Sequence, residues 1–366
     1  MVAIPAPPAD VTPPPAPPTV KRWRILQGGL VATVVILASV FAFWFVTGSG
    51  PFADIQPSRW ALDMTQATDL QARGTNGTGV TLCIVDTGVD LSHQELRHVR
   101  LRAWRDFVNG RSQPYDDEGH GTAMAGIVFA RGRLMGVAPD ANLIAVKAIA
   151  ASGSGTDTQI ANAITFCTDP NGDGDSSDGA HVISLSLGGR SLPFLRNSAA
   201  ESAANQAMDL GVIVVAAAGN DGRTDDGDVE SPARVARVIA VGAVDRGGVI
   251  APFSSMGSGA DGVPPAERTD PNRKPEVTAP GVEIAAPLTG DSYGYVSGTS
   301  PAAALVSGIV ALLLDDHPEY RHDGTRLLAF KTALMQGACG CSRTSVPHDD
   351  HYGYGIVRSF ATEALL

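Results

Sequence analysis

The sequence predicts an α/β domain whose mostly parallel sheet is covered by helices on both faces, preceded by one membrane-spanning helix. Three patterns predict it. Val80 to Val85, Leu143 to Ala148, Val182 to Leu187, Val212 to Ala217 and Val238 to Val241 are short, continuous apolar runs, as strands buried on both faces require. Asp157 to Cys167, Asn197 to Leu210, Thr299 to Leu314 and Thr325 to Gln336 are longer amphipathic stretches, several ending near Gly or Pro, and read as helices. Ile25 to Thr47 is a stretch of 23 residues without a charge. As a helix it would reach roughly 34 Å, enough to cross a bilayer.

The N-terminal region divides by composition. Met1 to Thr19 holds eight of the 25 prolines, a pattern that builds neither helix nor ladder and reads as a solvated polyproline-like spacer. A cytoplasmic partner of that tail is a weaker expectation. Lys21, Arg22 and Arg24 precede the apolar stretch and few basic residues follow it, so the positive-inside rule keeps residues 1–24 cytoplasmic and exports the rest. Phe41, Phe43, Trp44 and Phe45 suit the outer interface. A cleaved signal would be shorter and would not follow a proline tail, so residues 25–47 are expected to be a signal-anchor helix. Residues 48–54 then form a linker, and 55–366 one catalytic-size domain.

Formal charge is 27 − 38 = −11, which argues against phosphate backbones as partners, so no nucleic-acid binding is expected. Four cysteines in 366 residues are too few for a disulfide scaffold and lack the paired CxxC rhythm of a zinc site. Cys83, inside an apolar strand, reads as a small buried hydrophobe; Cys167 ends a helix; Cys339 and Cys341 share a late loop, where a bridge in an oxidising compartment stays open.

In an open parallel sheet, functional groups collect at the carboxyl ends of strands. The strand Val80 to Val85 ends in Asp86-Thr87-Gly88, Gly119-His120-Gly121-Thr122 leads into a small-residue helix, and Ser297-Gly298-Thr299-Ser300 opens an apolar one. Each has a bland explanation: Asp86 as a turn cap, His120 as a packed helix start, and Ser300 as an N-cap before Pro301. Together they offer a hydroxyl that needs a base, an imidazole that can serve as one, and a carboxylate to hold the imidazole's tautomer. Val212 to Ala218 then ends in Gly219-Asn220, an amide side chain at a strand tip suited to a developing oxyanion.

With these residues the chain resembles the subtilisin-like serine protease family. The matching segments are IVDTGVD around Asp86, GHGTAMAGIV around His120, GVAPDANLIAVKAI from Gly136, SLSLGG from Ser184, VVAAAGN ending at Asn220, VIAVGAV from Val238 and SGTS at Ser300. The resemblance extends from about Ile55 to the C-terminal GYGIVRSFATEALL. It implies a three-layer αβα sandwich that hydrolyses peptide bonds, with Ser300 as nucleophile, His120 as base then acid, Asp86 as its orienter, and Asn220 with the Ser300 N–H as oxyanion donors. It further implies that Ser186, Leu187 and Gly188, and Ala217, Ala218 and Gly219, flank an extended polypeptide substrate and wall its first pocket. The expected function is therefore a membrane-anchored serine endopeptidase working outside the cytoplasm. Its rivals are a silent binding domain of the same fold and a secreted degradative protease that has lost its N-terminal segment.

Two departures from the family stand out. Where the family usually reads Met-Ala-x-Pro-His after the nucleophile, this chain reads Pro301-Ala302-Ala303-Ala304-Leu305, and the lost thioether predicts resistance to peroxide. Only about seven residues separate Thr47 from Ile55, leaving no room there for a folding-assistant propeptide.

Asp169, Asn171, Asp173, Asp175 and Asp178 place oxygen side chains along a loop with Gly174 sixth in line, a calcium-loop pattern. Structural Ca²⁺ is expected there, although His181, and no glutamate, stands at its end. The chemical step itself calls for no cofactor. Asp221, Asp225, Asp226, Asp228 and Glu230 crowd the stretch after Asn220 against Arg223 alone, which suggests basic side chains before the scissile bond. His348-Asp349-Asp350-His351 reads as a surface loop, and Asn76-Gly-Thr78 fits a glycosylation sequon.

Overall fold

The computed structural model describes residues 56–187, 198–222, 228–259, 265–339 and 347–366. The expected tail, membrane helix and linker lie outside the described residues.

Seven strands form one all-parallel sheet: β1 (Thr81–Asp86), β2 (Arg100–Asp106), β3 (Asn142–Lys147), β4 (Val182–Leu185), β5 (Ile213–Ala217), β6 (Ile239–Val244) and β7 (Val277–Pro280). Their spatial order is β2-β3-β1-β4-β5-β6-β7. Every residue of β1, β4, β5, β6 and β7 is buried, which explains why the inner strands read as unbroken apolar runs. β2 left no such signal. It is an edge strand whose Arg100, Arg102 and Arg105 face solvent, so charge interrupts its apolar pattern. An antiparallel pair, β8 (Ile284–Leu288) and β9 (Ser292–Val296), lies outside the main sheet.

The helices are α1 (Arg59–Met64), α2 (Ala67–Ala72), α3 (His120–Phe129), α4 (Asp157–Thr168), α5 (Ala199–Asp209), α6 (Thr299–Asp316), α7 (Leu327–Cys339) and α8 (Ser359–Glu363). α3 packs on α6, which crosses β4 through β7, while α4 and α5 pack on each other and against β1, β3 and β5. Capping boxes at Thr156/Gln159 and Ser198/Glu201 set the starts of α4 and α5, each satisfying two otherwise orphaned amides. Among the described residues α6 is long and apolar enough to cross a membrane, yet 89% of that window is buried inside the protein. It is the central core helix, and Gly308 lets it approach Val137, whose Cβ would lie 2.6 Å from an added methyl.

Two expectations are corrected here. Cys83 is not a lone hydrophobe: it is bridged to Cys167, tying β1 to the end of α4 across a separation of 84 residues. His348 is no surface residue either, since its side chain is 1% exposed and packs edge-on against Tyr354. Cys339 closes α7, and Cys341 lies outside the described residues.

Candidate active site

β1 delivers Asp86 at its carboxyl end, where the side chain is 2% exposed. The backbone then turns through Gly88 at φ +121°, and a Cβ there would meet the Tyr115 carbonyl at 2.0 Å. This tight passage brings the start of α3 against β1. His120 is the first residue of α3, and Gly121 beside it must be glycine, because a side chain would strike the Gly88 carbonyl at 2.1 Å. His120 Nδ1 and Asp86 Oδ1 are 2.7 Å apart, and the Thr87 amide donates to that same carboxylate oxygen at 2.7 Å. In the neutral ring the bond to the carboxylate places the proton on Nδ1 and leaves the Nε2 lone pair on the opposite edge.

Neighbouring residues that the sequence did not single out hold this pair in place. Asp116 accepts from the Gly119 amide at 2.9 Å and, through its other oxygen, from the Thr122 amide and hydroxyl, so a carboxylate sits at the positive end of α3. Burial opposes its charge, but these hydrogen bonds win and hold Asp116 below the usual carboxylate range. Thr87 Oγ1 donates to Asp116 at 2.9 Å and accepts from Gly121 N–H. Lys147, fully buried at the end of β3, donates to the Thr87 carbonyl at 2.6 Å and to Asp117 at 2.7 Å. For His120 itself, burial disfavours the charged ring, but attraction and hydrogen bonding to Asp86, reinforced by Glu118 and Asp116, raise its pKa to about 9.

α6 supplies the hydroxyl. Its N-cap is Gly298, so Ser300 is the second helical residue and Pro301 the third, which corrects the N-cap expected for Ser300. Pro301 costs no helical bond there, because the first-turn amides have no intrahelical acceptor. Ser300 Oγ donates to the Ser186 carbonyl at 3.1 Å. The Thr299 amide donates to Asn220 Oδ1 at 2.8 Å, which turns the amide oxygen inward and leaves Nδ2 as the outward donor.

Asp86, His120, Ser300 and Asn220 line one cleft of about 450 Å³, together with Ser186 and Leu187 after β4, Ser231, and Ile149, Gly153 and Ile160 from the β3–α4 side. The sequence reading did not single out that last wall. Gly188 lies outside the described residues. Ala217 and Ala218 are buried, and backbone groups of this segment are already committed. Ala218 N–H donates to Val241 O at 3.0 Å, Ala218 O accepts from Glu230 N–H at 2.8 Å, and Gly219 N–H donates to Thr299 Oγ1 at 3.2 Å. Of the expected substrate-flanking residues, Ser186 and Leu187 line the cleft.

The acidic loop matches calcium in donor chemistry but is not gathered into a cage. Asp169 accepts from the Gly172 and Gly174 amides at 2.8 and 2.9 Å, Asp173 from the Asp175 amide at 2.8 Å, and Asp175 from the Ser177 amide at 2.9 Å. Asn171 donates to Asp173 at 2.9 Å. Burial and the nearby Asp173, Asp169 and Asp175 push the Asp178 carboxyl up, and its Oδ1 is buried with no hydrogen-bond partner. Among the described residues, no three acidic, histidine or cysteine side chains converge where they could hold a metal.

Residues 77–355 match the model of the subtilase family. Subtilisin Savinase of Lederbergia lenta is 34% identical over 305 residues, covering 82% of this chain and 97% of its own length. M-protease of Shouchella clausii (strain KSM-K16) is 33% identical over 305 residues, 82% of this chain and 69% of its own. An alkaline protease of Alkalihalobacillus alcalophilus is 34% identical over the same length, again 82% and 69%. With a family match over most of the chain, a seven-stranded parallel sheet, and an aspartate, a histidine, a serine and an asparagine gathered in one cleft, the chain belongs to the subtilase family and is a subtilisin-type serine endopeptidase.

Proposed function

We propose that the chain is a membrane-tethered endopeptidase that cleaves extended polypeptides outside the cytoplasm through Asp86, His120, Ser300 and Asn220. The observation that carries the reading is the 2.7 Å contact between His120 and Asp86 in the cleft that Ser300 and Asn220 share. Ser300 Oγ turns from the Ser186 carbonyl toward His120 Nε2, loses its proton to that nitrogen and bonds to the substrate carbonyl carbon. The resulting oxyanion takes hydrogen bonds from Asn220 Nδ2 and the Ser300 N–H. His120 then returns the proton to the leaving amine as the carbon–nitrogen bond breaks. Water, deprotonated by the same nitrogen, bonds to the acyl carbon, and His120 passes that proton to Ser300 Oγ as the ester bond breaks, which releases the acid and restores the serine and the neutral imidazole. Asp86 keeps its charge throughout and stabilises the imidazolium. The substrate runs beside Ser186 and Leu187, and the segment Ala217 to Gly219 flanks its first side chain.

The alkaline protease among the relatives carries its working range in its name, and the raised His120 supports the same range here. Support for export comes from the basic cluster before the 23-residue apolar stretch and from the Cys83–Cys167 bridge, which persists in oxidising compartments. The reading also includes a calcium ion on loop 169–178, supported by hard oxygen donors and by the mutual repulsion at Asp178, which a cation would relieve. Millimolar Ca²⁺ is expected to raise the melting temperature, and chelator to reverse this; no response to either removes the ion from the reading.

The central test is reaction of the detergent-solubilised full chain with a fluorophosphonate probe. Labelling is expected on Ser300 and is expected to disappear in Ser300→Ala and His120→Ala. Labelling that survives either substitution, or a folded wild type that does not label, overturns the mechanism. For the tether, the mature protein is expected to sediment with membranes and to begin at its cytoplasmic tail; a soluble form beginning near Gly48 favours the secreted alternative.

A further inference from the structure

Lys274 and Glu276 lead into β7, Lys331 stands in the first half of α7, and Ala236 and Val238 lead into β6. Folding gathers these segments at the amino ends of the two strands, away from the cleft at the carboxyl ends. None of the three charged side chains is more than 3% exposed. Lys274 Nζ donates to the Val238 carbonyl and to both Glu276 oxygens, at 2.8 and 3.1 Å. Lys331 Nζ donates to the Ala236 carbonyl at 2.8 Å, to the Val238 carbonyl at 3.4 Å and to Glu276 Oε1 at 2.6 Å. Glu276 Oε2 also accepts from the Ala240 amide at 2.8 Å.

Two ammonium groups therefore share one carboxylate and one main-chain carbonyl, and the cluster holds an excess positive charge in a site closed to water. The groups around it do not offset that excess. Arg268 is held by Asp228 at 2.9 Å and Arg237 by Asp209 at 2.8 Å. His348, which feels Arg273 and Asp350, sets Nε2 against the Pro275 carbonyl at 3.0 Å, and Tyr354 donates to Asp270 at 2.7 Å. Burial first, and then repulsion from Lys331 and Arg268, outweigh the attraction of Glu276 and push Lys274 down to about 7. Burial pushes Lys331 down as well. The geometry lets a proton leave, because a neutral amine keeps two N–H donors, enough for the Val238 carbonyl and one Glu276 oxygen.

We propose that Lys274, Glu276 and Lys331 form an alkaline latch, a cluster that sheds its excess proton as the medium turns alkaline and so fastens α7 to the amino ends of β6 and β7. The unfolded chain, with its lysines in water, keeps that proton to about pH 10. Over the interval between, the unfolded state binds one more proton than the folded state, so stability rises with pH. Below the interval both states hold the proton and the gain is absent. His120 acts in the opposite sense, because its raised value makes the fold lose stability as pH climbs from 6.5 to about 9.

The test therefore uses the detergent-solubilised full chain carrying Ser300→Ala and His120→Ala, which prevents autolysis and removes the opposing group, and adds Lys274→Met or Lys331→Met to it. By scanning calorimetry the melting temperature of the parent, relative to either methionine variant, is expected to rise by about 5 °C from about pH 7 to about pH 10. Unfolding of the parent at about pH 8.5 is expected to take up about one proton, read from the dependence of its enthalpy on the ionisation heat of the buffer, and unfolding of the variants none. A parent that takes up no proton overturns the inference, whether or not the variants fold. So do a proton uptake and a pH slope that persist in both variants, since they then belong to other groups.

Discussion

Removing the bridge between Cys83 and Cys167 gives a perturbation whose size follows from the topology. Both half-cystines are fully buried, one inside the central strand β1 and the other near the end of α4, and they close a loop of 84 residues. In the chain-entropy account, tying the unfolded chain at that separation removes about 15 cal/mol/K, or about 4.6 kcal/mol at about 25 °C. A domain of about 300 residues unfolds with roughly 0.6 kcal/mol/K of entropy, so the loss corresponds to a fall of about 7 °C in melting temperature. The double substitution Cys83→Ala and Cys167→Ala, made in a Ser300→Ala background to prevent autolysis, is expected to show that fall by scanning calorimetry. The parent protein should show a comparable fall under reductant, whereas the alanine variant should not respond to it. A melting temperature within about 1 °C of the parent would refute the reasoning, as would an unchanged response to reductant after the substitutions.

Three further outcomes follow from the site. In the proposed mechanism His120 accepts the Ser300 proton only when neutral, and its pKa is raised to about 9, so activity is expected to be lost as pH falls through that value. Only about 1% of the ring is neutral at pH 7, and kcat/KM is expected to climb about tenfold per unit before levelling near pH 10; a limb at or below pH 7 refutes this. Asn220→Ala, which removes one of the two proposed oxyanion donors, is expected to lower kcat by about 100- to 1,000-fold with little change in KM, measured by steady-state kinetics on a peptide substrate. Mild peroxide is expected to leave turnover intact, because Pro301 stands beside Ser300; rapid inactivation traced by mass spectrometry to a neighbour of Ser300 would contradict it.

Much of the fold was legible because the inner strands are covered on both sides. Burial on two faces forces continuous apolar runs, and those of β1, β3, β4, β5 and β6 stand out in the sequence to within a few residues. The edge strand β2 faces water along its arginines and lost that signature. The residues that gather in the cleft were legible for a related reason: strand tips and helix starts are the places where a polar residue interrupts an apolar pattern, as at Asp86, His120, Asn220 and Ser300. Residues that hold the site, such as Asp116 and Lys147, look like ordinary loop and strand charges until their partners are known.

By itself the sequence determined which segments become buried strands and core helices, and which side chains stand at their functional ends. Both are consequences of local pattern, the period of hydrophobicity and its interruption. Only the tertiary structure decided the pairing of Cys83 with Cys167, the second helical position of Ser300, and the commitment of the Ala218 and Gly219 backbone. Each depends on the distance between groups far apart along the chain. That distance is set by how helices and sheet pack, and no local pattern encodes it.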